Sequence, residues 1–321
     1  MPHVLTPLPV EQRAQGKPFI FYVMSKNIYT KPALSYQAQL ALLKASGMSF
    51  EDEKKALHLL QRIGYYRLGG YWYPLLANKQ NHVFKADVNF ESAFNLYKFD
   101  RELRKIIGAE VEKIEVAVRA KMEHELSIAY NPFWIEEESL FSSPANFQVT
   151  LDKIGEEYLR SNEEFIIDFK SNYSNPLPPA CIILEITSFG TLSRLYRNLK
   201  SSKAKRSISK SFALPDVVFD SWLHTLACIR NMCAHHARVW NSLLKIQPLS
   251  PRKPQNTWLN DNTVCTNRIY YVLSMIVYLL NTVNPNHTFR QKLENLFRKY
   301  PNVDRAAMGF PENWRSEPLW N

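Results

Sequence analysis

The segment CIRNMCAHHARVWN, residues 228–241, gathers Arg230, Asn231, His235, His236 and Arg238 within a short stretch flanked by apolar residues. Cleaving RNA with its own 2′-hydroxyl needs a group of near-neutral pKa to move protons and a fixed cation to stabilise charge on phosphorus. Imidazole and guanidinium supply both without a metal. On a helix, at about 100° per residue, Asn231, His235 and Arg238 share one stripe while Arg230 points roughly 140° away from His235. Either the long arginine side chain wraps toward the imidazole, or two copies of the helix meet across a twofold axis and share one cleft. Met232, Cys233, Ala234 and Ala237 are small or adaptable enough for such an approach, so a homodimer is the expectation. The competing reading is plain: an Arg with a His five residues later arises by chance in a basic chain with 8 histidines. His236 then packs in the core, and Arg238 answers a helix C-terminus.

These residues need helices to hold them, and the pattern supplies helices. Only 9 glycines are spread over 321 residues, and prolines cluster at the N-terminus, near 175–179, near 248–254 and at the C-terminus. Ser35 caps a first helix ending before Gly47, and residues 51–63 form a second behind an acidic first turn. YYRLGGYWYPLL reads as an aromatic packing corner, with a base-stacking surface as the alternative. Residues 90–129 keep a helical period without proline, and Asn131-Pro132 stops them. Further helices are expected at 152–173, at 179–199 with a kink at Gly190, at 217–240 and at 267–283. KSSKAKRSISK, residues 200–210, reads as a basic loop or helix start; Lys200, Lys203, Lys205 and Arg206 are candidate phosphate contacts, unless the segment is merely solvated. No long stretch alternates at period two, so the fold class is all-α, with residues 1–30 an arm, 31–85 a helical and aromatic subdomain, 86–285 the core and 286–321 a tail.

The formal charge of +10 favours a polyanionic partner, because each cation set against a phosphate releases counterions. The apolar run 269–283 is shorter than a membrane span requires and reads as a buried helix, so no membrane is expected. MPHVLTPLPV carries no export signal, which makes the cytoplasm the expected compartment. Cys181, Cys228, Cys233 and Cys265 lack metal or redox spacing and read as small, reduced core residues. No P-loop, polymerase-type acidic pair or H-E-x-x-H is present, so no cofactor and no metal are expected.

RNMCAHHARVWN resembles the signature of the Abi family of abortive-infection proteins (the AbiD/AbiF group), whose R-x4-H element marks them as HEPN-superfamily members. KPALSYQAQLALLKASGM, YYRLGGYWYPL, LYKFDRELRKIIGAEVEKIEVAVRA and EITSFGTLSRLY are similar to other parts of that family, so the resemblance runs from about Lys31 to Trp240. It implies a HEPN-like helical bundle with additional N-terminal helices, and metal-independent endoribonuclease activity leaving a 2′,3′-cyclic phosphate and a 5′-hydroxyl. It implies that Arg230 binds the scissile phosphate, His235 acts as general base or acid and Asn231 orients the site, with His236 a second imidazole. Asp100, Arg101, Arg104, Glu115 and Arg119 would line the cleft, or else form a buried salt-bridge network that fixes a helix pair. It implies phage defence by growth arrest, restrained by an antitoxin or a regulatory non-coding RNA. The alternative is a non-catalytic RNA-binding protein whose R-x4-H helix is a dimer or RNA contact.

Overall fold

The computed structural model describes residue 30 and residues 32–321; the expected N-terminal arm lies outside the described residues. Twelve α-helices among these residues, with one small antiparallel pair of strands (Leu76–Asn78 and Val83–Phe84), make the protein all-α. Two hydrophobic clusters organise it. The smaller gathers α1 (Tyr36–Ala45), α2 (Glu53–Ile63) and α3 (Tyr65–Trp72) around Leu43, Leu60, Leu68 and Trp72, and takes in Phe90 and Ala93 at the start of the next helix. The larger holds everything else.

The axis of the larger cluster is α4, Phe90–Ala129. Asn89 caps it by accepting from the Ser92 N–H at 2.7 Å, and Glu91 suits the positive end of the helix dipole. At 1.5 Å per residue its 40 residues span about 60 Å. Phe99, Leu103, Ile107, Val111, Ile114, Val118, Met122 and Leu126 recur every three or four residues and are fully buried. Against α4 pack α3, α7 (Ala180–Ile186), α9 (Lys203–Ser211), α10 (Asp216–Ala234), α11 (Ile269–Val283) and α12 (Phe289–Lys299). Every residue of α11 from Ile269 to Leu280 is buried, so this apolar helix is core; among the described residues no single helix is long and apolar enough to cross a membrane.

Several boundaries differ from the sequence reading. The aromatic corner is helical through Trp72 before a 3-10 turn at Tyr73–Leu75. The charged helix expected at 152–173 is two, α5 (Pro144–Arg160) and α6 (Glu164–Asn172). The helix expected at 179–199 breaks at Thr187, ahead of Gly190, because the Ser188 hydroxyl accepts from the Thr191 N–H at 3.3 Å and starts α8 (Phe189–Asn198) afresh. Residues 286–321 include α12, and Trp314 and Trp320 bury themselves beside Tyr270 and Phe310. Of the four cysteines only Cys233 is buried; Cys181 and Cys265 are exposed, against the expectation that all four belong to the core.

Candidate functional site

The end of α10 decides the site. Its last helical residue is Ala234, six short of the expected Trp240, and His235 is the C-cap. The His236 N–H donates to the Cys233 carbonyl at 3.2 Å and the Ala237 N–H to the Met232 carbonyl at 2.8 Å. This pair of reversed bonds is the Schellman stop, whose left-handed position usually holds glycine. Here it holds His236, at φ 58°. The chain therefore turns at His236, and Arg238 leaves the stripe that a continued helix would share with Asn231 and His235. Arg238 instead donates to the Gly70 carbonyl on α3.

The loop after the stop is fixed along its backbone. Arg67 donates to the His236 carbonyl at 2.9 Å, and Arg104 to the Ala237 carbonyl at 3.2 Å. Asp100, fully buried on α4, accepts from the Val239 and Trp240 N–H groups through Oδ1 at 3.0 and 2.8 Å. Its Oδ2 accepts from the Tyr71 hydroxyl at 2.7 Å and from Arg104. Burial pulls the Asp100 carboxyl upward, against Arg104, Tyr71 and the two amides, which pull it down. Asp100 and Arg104 thus hold the histidine loop to α3 and α4 from within the core; of the two, only Arg104 also reaches the cleft wall.

That cleft has a volume of about 940 Å³ and lies along α4, between α2–α3 on one side and the end of α10 on the other. A second stripe of α4, Arg101, Lys105, Gly108, Glu112, Glu115 and Arg119, forms its floor; Arg62 and Arg67 come from α2 and α3, and Arg230, Cys233, Ala234 and His236 from α10 and its stop. The stripe is turned roughly 120° around the helix from the Leu103–Ile107–Val111 row, so it leaves the core while that row enters it. Cations outnumber carboxylates in this lining. Glu115 sits 3.7 Å from Arg230 and 3.2 Å from Arg119, which also donates to the Thr187 carbonyl at 3.0 Å. Burial raises the Glu115 carboxyl above its usual range, more than Arg230 and Arg119 lower it. Burial likewise pushes the Cys233 thiol up to about 12, so no thiolate nucleophile forms there near neutrality.

Among the residues singled out from sequence, Arg230, His236, Arg101, Arg104, Glu115 and Arg119 come together in this cleft. Asn231 and His235 are exposed but do not line it. The basic segment is helix α9, also apart from the cleft lining. Its Lys205 is buried, donates to the Leu199 carbonyl at 2.9 Å and lies over the Tyr196 ring, so it is a packing residue and not a phosphate contact. Lys200 donates to the Ser139 carbonyl and Arg206 to the Ser201 hydroxyl, while Lys203 is exposed. Arg62, Arg67 and Lys105 were not among the candidates. Lys105 follows Arg101 by one helical turn and was readable, whereas Arg62 and Arg67 reach the cleft only through tertiary packing. Among the described residues no group of His, Cys, Asp and Glu is arranged to hold a metal.

The family model described as Abi-like protein matches residues 58–241, more than half of the chain and the part that builds the cleft. The chain belongs to the Abi-like protein family. No curated protein and no solved structure matches it.

Proposed function

We propose that this protein is a metal-independent endoribonuclease of HEPN type, of the AbiD/AbiF group, acting in abortive-infection phage defence. Family membership supports the defence role. The observation that carries the chemistry is the convergence of Arg230 and His236 in one basic cleft whose histidine loop is fixed by Asp100, Arg104 and Arg67. Arg230 meets the scissile phosphate and neutralises the charge that grows on its non-bridging oxygens. One imidazole of the His235–His236 pair takes the 2′-hydroxyl proton as that oxygen attacks phosphorus. The other imidazole, in its protonated form, gives its proton to the leaving 5′-oxygen, yielding a 2′,3′-cyclic phosphate and a 5′-hydroxyl. His235 is exposed at the C-cap of α10 and does not line the cleft, and a second copy of the chain packed on that face would bring it over the phosphate. A homodimer, an antitoxin or regulatory RNA, and action in the cytoplasm complete this reading.

The position of His235 outside the cleft lining favours a second reading, in which the groove binds RNA without cutting it. Incubating the purified protein with total RNA in EDTA, and mapping new 5′ ends, separates the two. The nuclease reading expects cleavage that is lost in Arg230→Ala and His235→Ala. Persistent cleavage in both variants ends it.

A further inference from the structure

The two ends of the cleft differ in charge. At one end Arg119 and Arg230 share the Glu115 carboxylate. At the other, Arg62 from the last turn of α2 and Arg101 and Lys105 from α4 have no carboxylate within ion-pair distance among the described residues, while Arg67 spends one N–H on the His236 carbonyl. Cations converging from separate helices without a counter-charge leave a concentrated positive potential, which a low-dielectric wall focuses further. Tyr97, one turn before Arg101, lines the same end, with its ring stacked on Phe94 and edge-on to Tyr71. Lys105 and Arg101 precede Glu115 by 10 and 14 residues of helix, about 15 and 21 Å, so the unpaired cations lie along the groove from Glu115 and its partner Arg230.

We propose that Arg62, Arg101 and Lys105 form a second anion subsite, which holds the backbone phosphates flanking the reacting one when an unpaired RNA strand lies along α4. This rests on the reading of the groove as an RNA site. A cation-lined groove with an aromatic side chain is how single strands are tracked without reading their sequence. A cleft of about 940 Å³ has the scale of a site for one compact ligand, room for a few nucleotides and not for a double helix, which proteins contact instead over a broad face spanning two grooves.

The test uses the full chain and a fluorescein-labelled octanucleotide of 2′-O-methyl RNA, which has no free 2′-hydroxyl and cannot be cut by the proposed route. Anisotropy titrations from 50 to 200 mM salt give the slope of log affinity against log salt. Losing two phosphate contacts in Arg101→Gln/Lys105→Gln lowers that slope by about 1.4, so over this range the parent protein loses about sevenfold more affinity than the variant. Lys210→Gln, at an exposed position of α9, leaves the slope unchanged. A matched duplex competes at least about tenfold more weakly than the strand. Unchanged slopes in the groove variant, an equal fall in the α9 variant, or equal competition by the duplex each overturn the subsite. Arg62→Gln alone, on a different helix, repeats the measurement with an expected fall of about 0.7 should the double variant fold poorly. Because the probe cannot be cleaved, failure of the nuclease reading leaves these slopes untouched, and failure of the subsite leaves cleavage of RNA in place.

Discussion

Replacing Asp100 by Asn is the sharpest perturbation of the loop that carries the histidines. Asn keeps one carbonyl oxygen for the Val239 and Trp240 amides, but its amide nitrogen cannot accept from Tyr71 or Arg104. Arg104 is 5% exposed and Asp100 is fully buried, so the guanidinium would stay behind as an uncompensated charge. Breaking a buried pair from one side costs about 3–5 kcal/mol. With a urea dependence of about 3 kcal/mol per M for a chain of this size, the unfolding midpoint falls by roughly 1–1.7 M. Adding Arg104→Met removes the stranded charge, and the double variant recovers most of the loss, the signature of coupled neighbours. Amide exchange at Val239 and Trp240 quickens in the single variant, because these two N–H groups report the clamp directly. A loss below about 1 kcal/mol in Asp100→Asn, or a double variant less stable than the single, would refute this account of the hub.

Three further outcomes follow from the geometry. His236 occupies the left-handed position of the Schellman stop, so His236→Gly keeps the fold and changes stability by no more than about 1 kcal/mol, while it slows RNA cleavage; a large loss on urea unfolding would contradict the backbone assignment. The Glu115 carboxyl is raised by burial, so its favourable contribution is present below the unfolded pKa and is lost as pH rises through the folded value. Glu115→Gln should therefore be at least as stable as the parent at pH 7, with the difference closing toward pH 4 in parallel thermal melts. At Glu110, burial pushes the carboxyl up but is outweighed by the ammonium groups of Lys113 and Lys292 at 2.8 and 2.6 Å, leaving it below its usual range. Its contribution is present above the unfolded pKa and lost as pH falls through the folded one, so Lys292→Met moves the midpoint of acid unfolding to higher pH, and an unmoved midpoint rules out the coupling.

The sequence shows α4 fully because its signals agree: Asn89 caps it, the apolar row repeats without interruption, and Pro132 stops it. On the floor of the cleft, Arg101, Glu115 and Arg119 are implied by the family resemblance and not by spacing, and the same resemblance also implies Asp100, which is buried and does not line the cleft. Two breaks are hidden. At Thr187 and Ser188 apolar residues continue on both sides, and only the hydroxyl cap at Ser188 ends the helix. At His236 the stop lacks the glycine that would announce it, so Arg238 reads as helical although it is bound to α3. The role of Asp100 depends on amides 139 and 140 residues away, and the wall from Arg62 and Arg67 depends on how α2 and α3 dock. Neither can be read from local spacing. The basic run at residues 200–210 suggests phosphate contacts, but the burial of Lys205 shows that such a run can serve packing.

The most direct measurement of whether this cleft performs transesterification uses a defined single-stranded oligonucleotide cut by the purified protein in EDTA, compared with the same strand carrying one 2′-deoxy sugar at the cleaved position. The account predicts a 2′,3′-cyclic phosphate on the upstream product of the parent strand, no cut at the deoxy position, and loss of the product with Arg230→Ala. Cleavage that continues at the deoxy sugar, or upstream products ending in a free 3′-hydroxyl, would contradict it.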